Sequence, residues 1–478
     1  MAHRWRGSSN HRGPGRGGLN SLRGFRAASA TRSPAPALGS LLATIKKDEL
    51  LCSDIESDAS RPKITNCKVI GSYNWLNRSC PTILIPGSPP AWTPTHTLDR
   101  LPQDRGSYFR DQNAARYSAH VFQPALDAIL HHDPKFDLHK VDLVACVSTL
   151  RNLLQFIVKP CKEFRIIVEA VGSTVFLVRR PNSPTETIES VFGYGHTFPE
   201  ANTTWSHGVK GSESHQRILQ YDFGGLSCAI RYEGDGYLPN VYQPTPPRRE
   251  TAAMTPKDLL VPFDNSTIGS AVNEEKRDIT IEIGGETIPQ TAMFDLKTRS
   301  TWKRYEDVLR DEIPRLWAAQ VPNFVVGFHN KGVFDDVRVE DVRSNIQKWE
   351  EEQESSLQKL VALLKALIEF AQGQKEGRFE VVFNRGDELE LREIGGEIGC
   401  CVSDVSRSRL AENDPDEGGV KLQKDDEAEA DEEDGIGEEE EERGRWERES
   451  GGWSDTESEK DFTACSASSC GYCGHCGY

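Results

Sequence analysis

Two short stretches, each with polar side chains two residues apart, constrain this chain most. Glu233 and Asp235 close one apolar run, and Asp295 and Lys297 close a later one. Side chains alternate along a β-strand, so residues i and i+2 lie on one face. Carboxylates that end apolar runs are costly to bury unless they are paired or bound to metal. The sequence therefore predicts two strands that each present a polar pair on one face of a sheet.

The residue types in these pairs indicate a hydrolytic metal site. Glu233 and Asp235 can hold one cation together, while Asp295 can add a ligand and Lys297 can lie beside the reacting water. Hard oxygen ligands suit Mg²⁺ or Mn²⁺, which activate water and neutralise charge on a phosphoryl group. The alternative is that both stretches are ordinary solvated strand faces, because such pairs also occur by chance in charged proteins.

Composition divides the chain into a folded body and polar ends. Residues 1–47 hold nine Lys/Arg and no acid, which predicts a disordered basic arm, either RNA-binding or a transit peptide. Residues 48–398 are predicted to be the folded domain, and 399–461 a disordered acidic tail. Since residues 411–461 carry 23 Asp/Glu against six Lys/Arg, the whole-chain net charge of −17 does not exclude an anionic substrate.

The final segment, 462–478, is rich in cysteine. Its four thiols could hold Zn²⁺, and the alternative is a flexible redox-sensitive tail. They are Cys465, Cys470, Cys473 and Cys476. The chain lacks an apolar run long enough to span a membrane and an apolar signal region, so we expect an intracellular protein of the nucleus or cytoplasm with no membrane partner. A mitochondrial location is the alternative, because the N-terminus is rich in Arg and Ser.

Hydrophobic patterning in the body predicts an α+β fold, a mixed twisted central sheet with flanking helices. The helix with the clearest apolar stripe is predicted over residues 344–372 and ends at Gly373. Runs with strand character are predicted at 69–76, 82–85, 164–168, 174–178, 218–223, 227–232, 292–296, 379–383 and 389–393.

Four motifs in series resemble those of the DXO family of RNA 5′-end decapping nucleases, which share the core of the PD-(D/E)xK nucleases. The segment 193–200 resembles the Gly-Tyr-Lys-Phe-Glu motif, 231–235 the Glu-Val-Asp motif, and 294–298 the Glu-Leu-Lys-Thr motif. The segment 316–328 resembles the Trp-x-x-Gln and Ile-Val-Gly-Phe-Arg region. The resemblance implies metal ligation by Glu200, Glu233, Asp235 and Asp295, and catalytic roles for Lys297, Glu200 and Gln320.

The chain departs from this family at two informative positions. Asp295 stands where the family usually has Glu. The run 141–148 lacks the family's Arg-Gly, whose arginine helps hold the RNA 5′ end, and Arg151, one helical turn along, is a substitute. The resemblance implies an RNA 5′ end as substrate and a 5′–3′ exonuclease as partner. The chain is thus interpreted as a divergent metal-dependent nuclease or pyrophosphohydrolase, with an inactive RNA- or exonuclease-binding scaffold as the alternative.

A wider likeness is to fungal proteins of unknown role that share the segments 72–76 and 86–90. Some of these are labelled prenyl (geranylgeranyl) diphosphate synthases. That chemistry needs two Asp-rich helical motifs, and the segment 335–339 does not match one. The label would also require an all-helical fold, so it has little weight against the strand-rich centre of this sequence.

Overall fold

The computed structural model describes residues 34–50, 62–95, 99–105, 108–158, 162–188, 193–242, 279–396 and 398–411. Within these residues the chain forms two large β-sheets, a two-stranded ribbon and eight α-helices. The predicted α+β class with mixed sheets and flanking helices is confirmed, although the strands divide between two sheets. No helix in these ranges is both long and apolar enough to cross a membrane.

The elements follow the chain in order, with strands and helices mixed. The strands are β1 (Leu41–Lys46), β2 (Ile64–Leu76), β3 (Thr82–Gly87), β4 (Ala91–Trp92), β5 (Tyr108–Phe109), β6 (Leu143–Cys146), β7 (Phe164–Val171), β8 (Thr174–Arg179), β9 (Thr187–Ile188), β10 (Thr203–Thr204), β11 (Ser212–Phe223), β12 (Leu226–Glu233), β13 (Gly236–Tyr237), β14 (Thr280–Gly285), β15 (Met293–Ser300), β16 (Asn323–Asn330), β17 (Val333–Asp341), β18 (Arg378–Phe383) and β19 (Glu388–Arg392). The helices are α1 (Gln112–Arg116), α2 (Gln123–His132), α3 (Val147–Val158), α4 (Thr197–Asn202), α5 (Val308–Ala319), α6 (Arg343–Glu352), α7 (Glu354–Gly373) and α8 (Asp404–Ala411).

The larger sheet has the order β1-β19-β18-β7-β8-β6-β12-β11-β2-β3-β14, and the smaller sheet has the order β10-β4-β13-β15-β16-β17. Strand β6 runs parallel to β8 and β12, whereas β11 runs antiparallel to both of its neighbours. Strand β15 runs parallel to β16 and antiparallel to β13. Since β12 ends at Glu233 and β13 begins at Gly236, the chain passes from the larger sheet to the smaller one within a few residues.

Helices cover both faces of the larger sheet. On one face α3, α5 and α7 share a core with β6, β7, β12 and β18, and α7 contributes its buried apolar stripe. The stripe consists of Leu357, Leu360, Leu363, Leu364, Leu367 and Ala371. On the other face α2 and α8 pack against β2, β3 and β8. The single helix predicted over 344–372 is interrupted at Gln353, which separates α6 from α7. The strand-rich architecture also excludes the all-helical fold that the prenyl synthase label requires.

Described elements lie outside the predicted 48–398 body at both ends. Strand β1 lies inside the predicted basic arm and pairs with β19. Helix α8 lies inside the predicted acidic tail, where Val402 and Leu410 are buried. A few apolar side chains suffice to hold these short elements against the fold. The average composition of a long polar segment does not reveal so few apolar residues. Residues 1–33 and 412–478, including the four C-terminal cysteines, lie outside the described residues.

Glu169 anchors this C-terminal segment. It is buried, with only 1% of its surface exposed. The Cys401 N–H donates to it at 3.0 Å, and it forms ion pairs with Arg378 at 3.4 Å and with Arg407 of α8. A buried carboxylate needs such compensation, because its desolvation is costly.

Candidate functional site

The crossing from β12 to β13 brings the two predicted polar pairs together. The Leu296 N–H of β15 donates to Asp235 Oδ2 at 2.7 Å, so Asp235 is tied to the strand that carries Asp295. Gly236 makes this close approach feasible, since a Cβ there would lie 2.8 Å from the Pro90 carbonyl oxygen and would overlap the Phe294 ring. The crossing between the two sheets therefore places Asp235 beside the strand that carries Asp295 and Lys297.

Lys297 and Asp295 form a buried pair on β15. Lys297 Nζ lies 3.6 Å from Asp295 Oδ1, and the two side chains are only 2% and 7% exposed. Neither of these two atoms has a hydrogen-bond partner among the described residues. A buried carboxylate oxygen and a buried ammonium without hydrogen bonds are costly, and they are typical of sites that complete their contacts with a ligand.

An arginine of α5 provides the countercharge for these acids. Arg315 forms ion pairs with Asp295, with Asp235 at 3.9 Å and with Glu312 at 3.7 Å. Glu312 is buried and also pairs with Arg299 at 3.1 Å. The guanidinium therefore holds two of the predicted metal ligands in this structure.

Glu233 is the acid with the most perturbed protonation in the group. Burial, followed by the neighbouring charge of Asp235, raises the pKa of Glu233 to about 7, whereas Arg315 acts in the opposite direction. A carboxyl group with this pKa can accept and return a proton near neutral pH, as general acid–base chemistry requires.

A chain of hydrogen bonds positions Glu233. Tyr73 Oη and Trp75 Nε1 donate to Asn113 Oδ1 at 2.6 and 2.9 Å. Asn113 Nδ2 then donates to Gln216 Oε1, and Gln216 Nε2 donates to Glu233 Oε2, both at 3.4 Å. The segment 72–76 thus has a positioning role behind the site, because buried polar networks fix side-chain orientation.

The acids border a small cavity, which we name the acid–arginine cavity, of about 100 Å³. Its charged lining residues are Arg110, Asp111, Arg151, Arg179, Arg231, Glu233, Asp295 and Arg315. Five guanidinium groups against three carboxylates make this lining cationic. Arg is suited to phosphate, because its planar group donates two parallel hydrogen bonds.

Two arginines in this cavity differ in how firmly they are held. Arg231 is fixed, since it donates to the Val121 carbonyl at 2.7 Å, contacts Cys146 Sγ at 3.2 Å and lies over the Phe122 ring. Arg151 is only 6% exposed and forms no hydrogen bond or ion pair with another described residue. A buried guanidinium in that state is ready for an anionic ligand.

Of the predicted site residues, only Glu233 and Asp295 line this cavity. Asp235 and Lys297 lie next to it, through the Leu296 N–H and Asp295 respectively, whereas Glu200 and Gln320 lie apart. Glu200, predicted as a metal ligand and catalytic group, is exposed on α4 and does not line the cavity. Gln320 caps α5 in a left-handed conformation, where its Nε2 donates to the Trp317 carbonyl at 2.6 Å. The structure therefore brings together Glu233, Asp235, Asp295 and Lys297, and places Glu200 and Gln320 elsewhere.

The sequence reasoning missed four arginines of the cavity, namely Arg110, Arg179, Arg231 and Arg315. Arg231 carried a usable signal, since it precedes Glu233 by two residues on the same strand and so shares its face. Arg315 and Arg179 carried none, because their placement depends on how α5 and β8 pack.

The oxygen atoms of these acids are the kind of ligand that a hard divalent cation prefers. In this structure, however, their side chains do not surround a common metal position. Glu233, Asp235 and Asp295 offer oxygen ligands, and Asp295 Oδ1 is buried without a hydrogen bond. Across the described ranges, no three acidic, histidine or cysteine side chains already surround a common metal position. Because Arg315 pairs with two of these acids, a cation must displace it.

Comparison with known proteins gives a family and several similar structures. A family model described as "Domain of unknown function (DUF8563)" matches residues 51–394, which is most of the chain. The chain belongs to the DUF8563 family. No curated protein matches this DUF8563 chain.

Solved structures similar to the DUF8563 chain include two Rai1 proteins and one Dxo1 protein. S. pombe Rai1 in complex with 3′-FADP has 10% identity and a TM-score of 0.47, over 74% of this chain and 100% of that one. Scheffersomyces stipitis Rai1 with (3′-NADP)+ and calcium has 11% identity and a TM-score of 0.47, over 79% and 99%. K. lactis Dxo1 with manganese has 9% identity and a TM-score of 0.44, over 74% and 97%.

Proposed function

We propose that this protein is a divergent metal-dependent hydrolase that cleaves a phosphodiester or pyrophosphate linkage at the 5′ end of RNA. One observation carries the proposal. The acid pair after β12 and the Asp295–Lys297 pair of β15 meet beside a cavity lined by arginines. The motif resemblance supports the RNA 5′ end as the substrate, and a terminal phosphate matches the charge of the lining.

Substrate binding is assigned to the arginines. Arg151, buried and without a partner among the described residues, binds a terminal phosphate oxygen. This assigns to Arg151 the role of the family's missing arginine. Arg231 contributes positive charge but is held by Val121 and Cys146, so it orients the phosphate without moving.

The reaction is assigned to the acids and the lysine. Glu233, Asp235 and Asp295 would hold Mg²⁺ or Mn²⁺, which when bound would activate water and neutralise phosphoryl charge. In the metal-free site, burial and the charge of Asp235 raise the pKa of Glu233 to about 7, and a bound cation would favour the charged form that ligates it. Lys297 Nζ stabilises negative charge that develops next to Asp295, and burial strengthens this interaction.

A second function, a non-catalytic scaffold that binds RNA through the same cavity, is favoured by Arg315. Its ion pairs with Asp295 and Asp235 compensate the acids without any metal. On this alternative the arginines still bind a 5′ phosphate, but no bond is broken. The exonuclease partner and the nuclear, cytoplasmic or mitochondrial location are proposals that rest on the motif resemblance and the N-terminal composition.

A product-release assay tests the proposal. Full-length protein is incubated with 5′-triphosphate, capped or 5′-monophosphate RNA in clean Mn²⁺ or Mg²⁺, and products are identified by mass spectrometry. We expect release from at least one RNA by the wild type, strong loss for Asp295→Asn, and no loss for Asp341→Asn, whose side chain is half exposed on β17. Unchanged RNA in every wild-type reaction, with 5′-phosphate binding retained, would favour the scaffold.

A further inference from the structure

A second cavity, of about 480 Å³, adjoins the acid–arginine cavity. The two share Arg110 and Arg179 as lining residues, so they meet at these guanidinium groups. We name the second one the basic cavity. It lies among β7, β8, the end of β18 and the N-terminal segment 35–38, and its volume is within the usual range of ligand sites.

The basic cavity concentrates positive charge on an acidic protein. Its charged lining residues are Arg110, Lys162, Glu163, Arg165, Arg179, Arg180, Glu186 and Arg385. Six cations thus stand against two acids, on a chain whose net charge is −17. Glu380, buried beneath the lining, neutralises part of this charge and still leaves an excess of cations. Such a patch attracts anionic ligands, because its field opposes that of the rest of the molecule.

Two of these arginines are structural. Arg165 and Arg180 both pair with Glu380, at 2.6 and 2.7 Å. They also donate to backbone carbonyls, Arg165 to Pro36 and Arg180 to Gly395, and so hold the segments around these two residues against the sheet. Their charge shapes the cavity, but their donors are largely committed to the protein.

The rim of the basic cavity is different. Arg385 occupies the turn between β18 and β19 with a φ of +58° and is 68% exposed. Its partner Glu163, at 3.1 Å, is 61% exposed, and an ion pair between such exposed groups contributes little stability. A phosphate can therefore replace Glu163 at Arg385. Lys162 lies beside Glu163 in sequence and lines the same cavity.

We propose that the basic cavity binds the phosphodiester backbone of the RNA chain beyond the terminal phosphate. The inference rests on the proposed function, because it assigns the 5′ end to the acid–arginine cavity. Shared Arg110 and Arg179 connect the two cavities, and spaced cations match a chain of phosphates better than a single small anion. Asn152, Asn182 and Asn384 add amide groups for sugar or base contacts. Single-strand sites of this kind combine a cationic groove with few sequence-specific contacts.

Salt-dependent binding tests the inference. Full-length protein is titrated in EDTA, so that no RNA is cut, against two 5′-phosphorylated probes, a diuridylate and an oligouridylate of roughly 16 nucleotides. Each lost phosphate contact reduces the slope of log K against log salt by about 0.7. The double variant Lys162→Gln/Arg385→Gln should therefore lose about 1.4 of slope and bind the long probe about 25-fold more weakly at 0.1 M salt.

Controls separate this cavity from general charge and from the proposed function. The matched variant Lys348→Gln/Arg343→Gln removes two exposed cations with acid partners outside the cavity, and should bind both probes as the wild type does. The diuridylate should bind equally to all three proteins. If Lys162→Gln/Arg385→Gln keeps the wild-type slope, the inference is overturned while 5′-end binding stands. If the wild type fails to bind the 5′-phosphorylated diuridylate, the proposed function fails separately.

Discussion

Replacement of Arg315 by glutamine removes the countercharge of the candidate site. Arg315 is 14% exposed and pairs with Asp295, which is 7% exposed, and with Asp235 at 3.9 Å. Loss of one partner of a buried pair costs about 3–5 kcal/mol, because the remaining charge is uncompensated. The residual solvent access of Arg315 favours the lower end, about 3 kcal/mol. At roughly 2 °C per kcal/mol for a large domain, Arg315→Gln should lower the melting temperature by about 6 °C in EDTA.

Mn²⁺ should reverse this loss. A cation that occupies the place of the guanidinium at a hundred times its Kd contributes about 2.7 kcal/mol, so Arg315→Gln should regain roughly 5 °C. The wild type should gain less, because Arg315 competes with the cation. Thermal unfolding of both proteins in EDTA and in Mn²⁺ measures this, with Arg310→Gln, an exposed arginine of the same helix, as the control. Equal Mn²⁺ shifts in variant and wild type would refute the competition between Arg315 and metal.

Three further outcomes are expected. If the proposed function holds, Lys297→Met should lower turnover of the cleaved RNA at least tenfold and leave Mn²⁺ affinity unreduced, because it removes the positive charge beside Asp295. Single-turnover kinetics and calorimetry measure these two effects. Metal-free protein should lose stability as pH rises from about 4.5 to 7, because Glu233 keeps its proton in the folded state after the unfolded state has released it. Denaturant titrations of the wild type and of Glu233→Gln should therefore show different changes in the free energy of unfolding over this pH range. Truncation after residue 411 should leave the melting temperature nearly unchanged. Truncation after 398, which removes α8, should lower it by several degrees, because Glu169 loses Arg407 and the core loses Leu410.

Alternation and periodicity predicted the local structure well. The leucine stripe of α7 predicts a helix with one buried face, whichever sheet it packs against. The apolar runs on either side of Gly172 predict the β7–β8 hairpin, whose turn has the positive φ that glycine favours. The same patterns could not predict that the strands divide between two sheets. That division depends on the crossing at Asp235, where Gly236 lets β13 approach β15.

The candidate site was predictable where it depends on single strands. Asp295 and Lys297 lie two residues apart on β15, as alternation predicts, whereas Glu233 ends β12 and Asp235 lies beyond it, in the crossing to β13. The prediction that Glu233 and Asp235 share one strand is therefore wrong, although the structure brings the two pairs together. Arg315 was not predictable, because its place among the acids follows from the packing of a distant helix. Glu200 was assigned by motif resemblance alone, and helix α4 leaves it exposed outside the cavity.

Titration calorimetry with Mn²⁺ tests the central claim, that the two strands form one cation site. Asp235→Asn and Asp295→Asn each remove one charge and keep the shape of the side chain, while Asp341→Asn removes an exposed acid elsewhere. The account predicts one Mn²⁺ site in the wild type and in Asp341→Asn, and at least tenfold weaker binding in each of the other two. Equal Mn²⁺ affinity in all four proteins would contradict it.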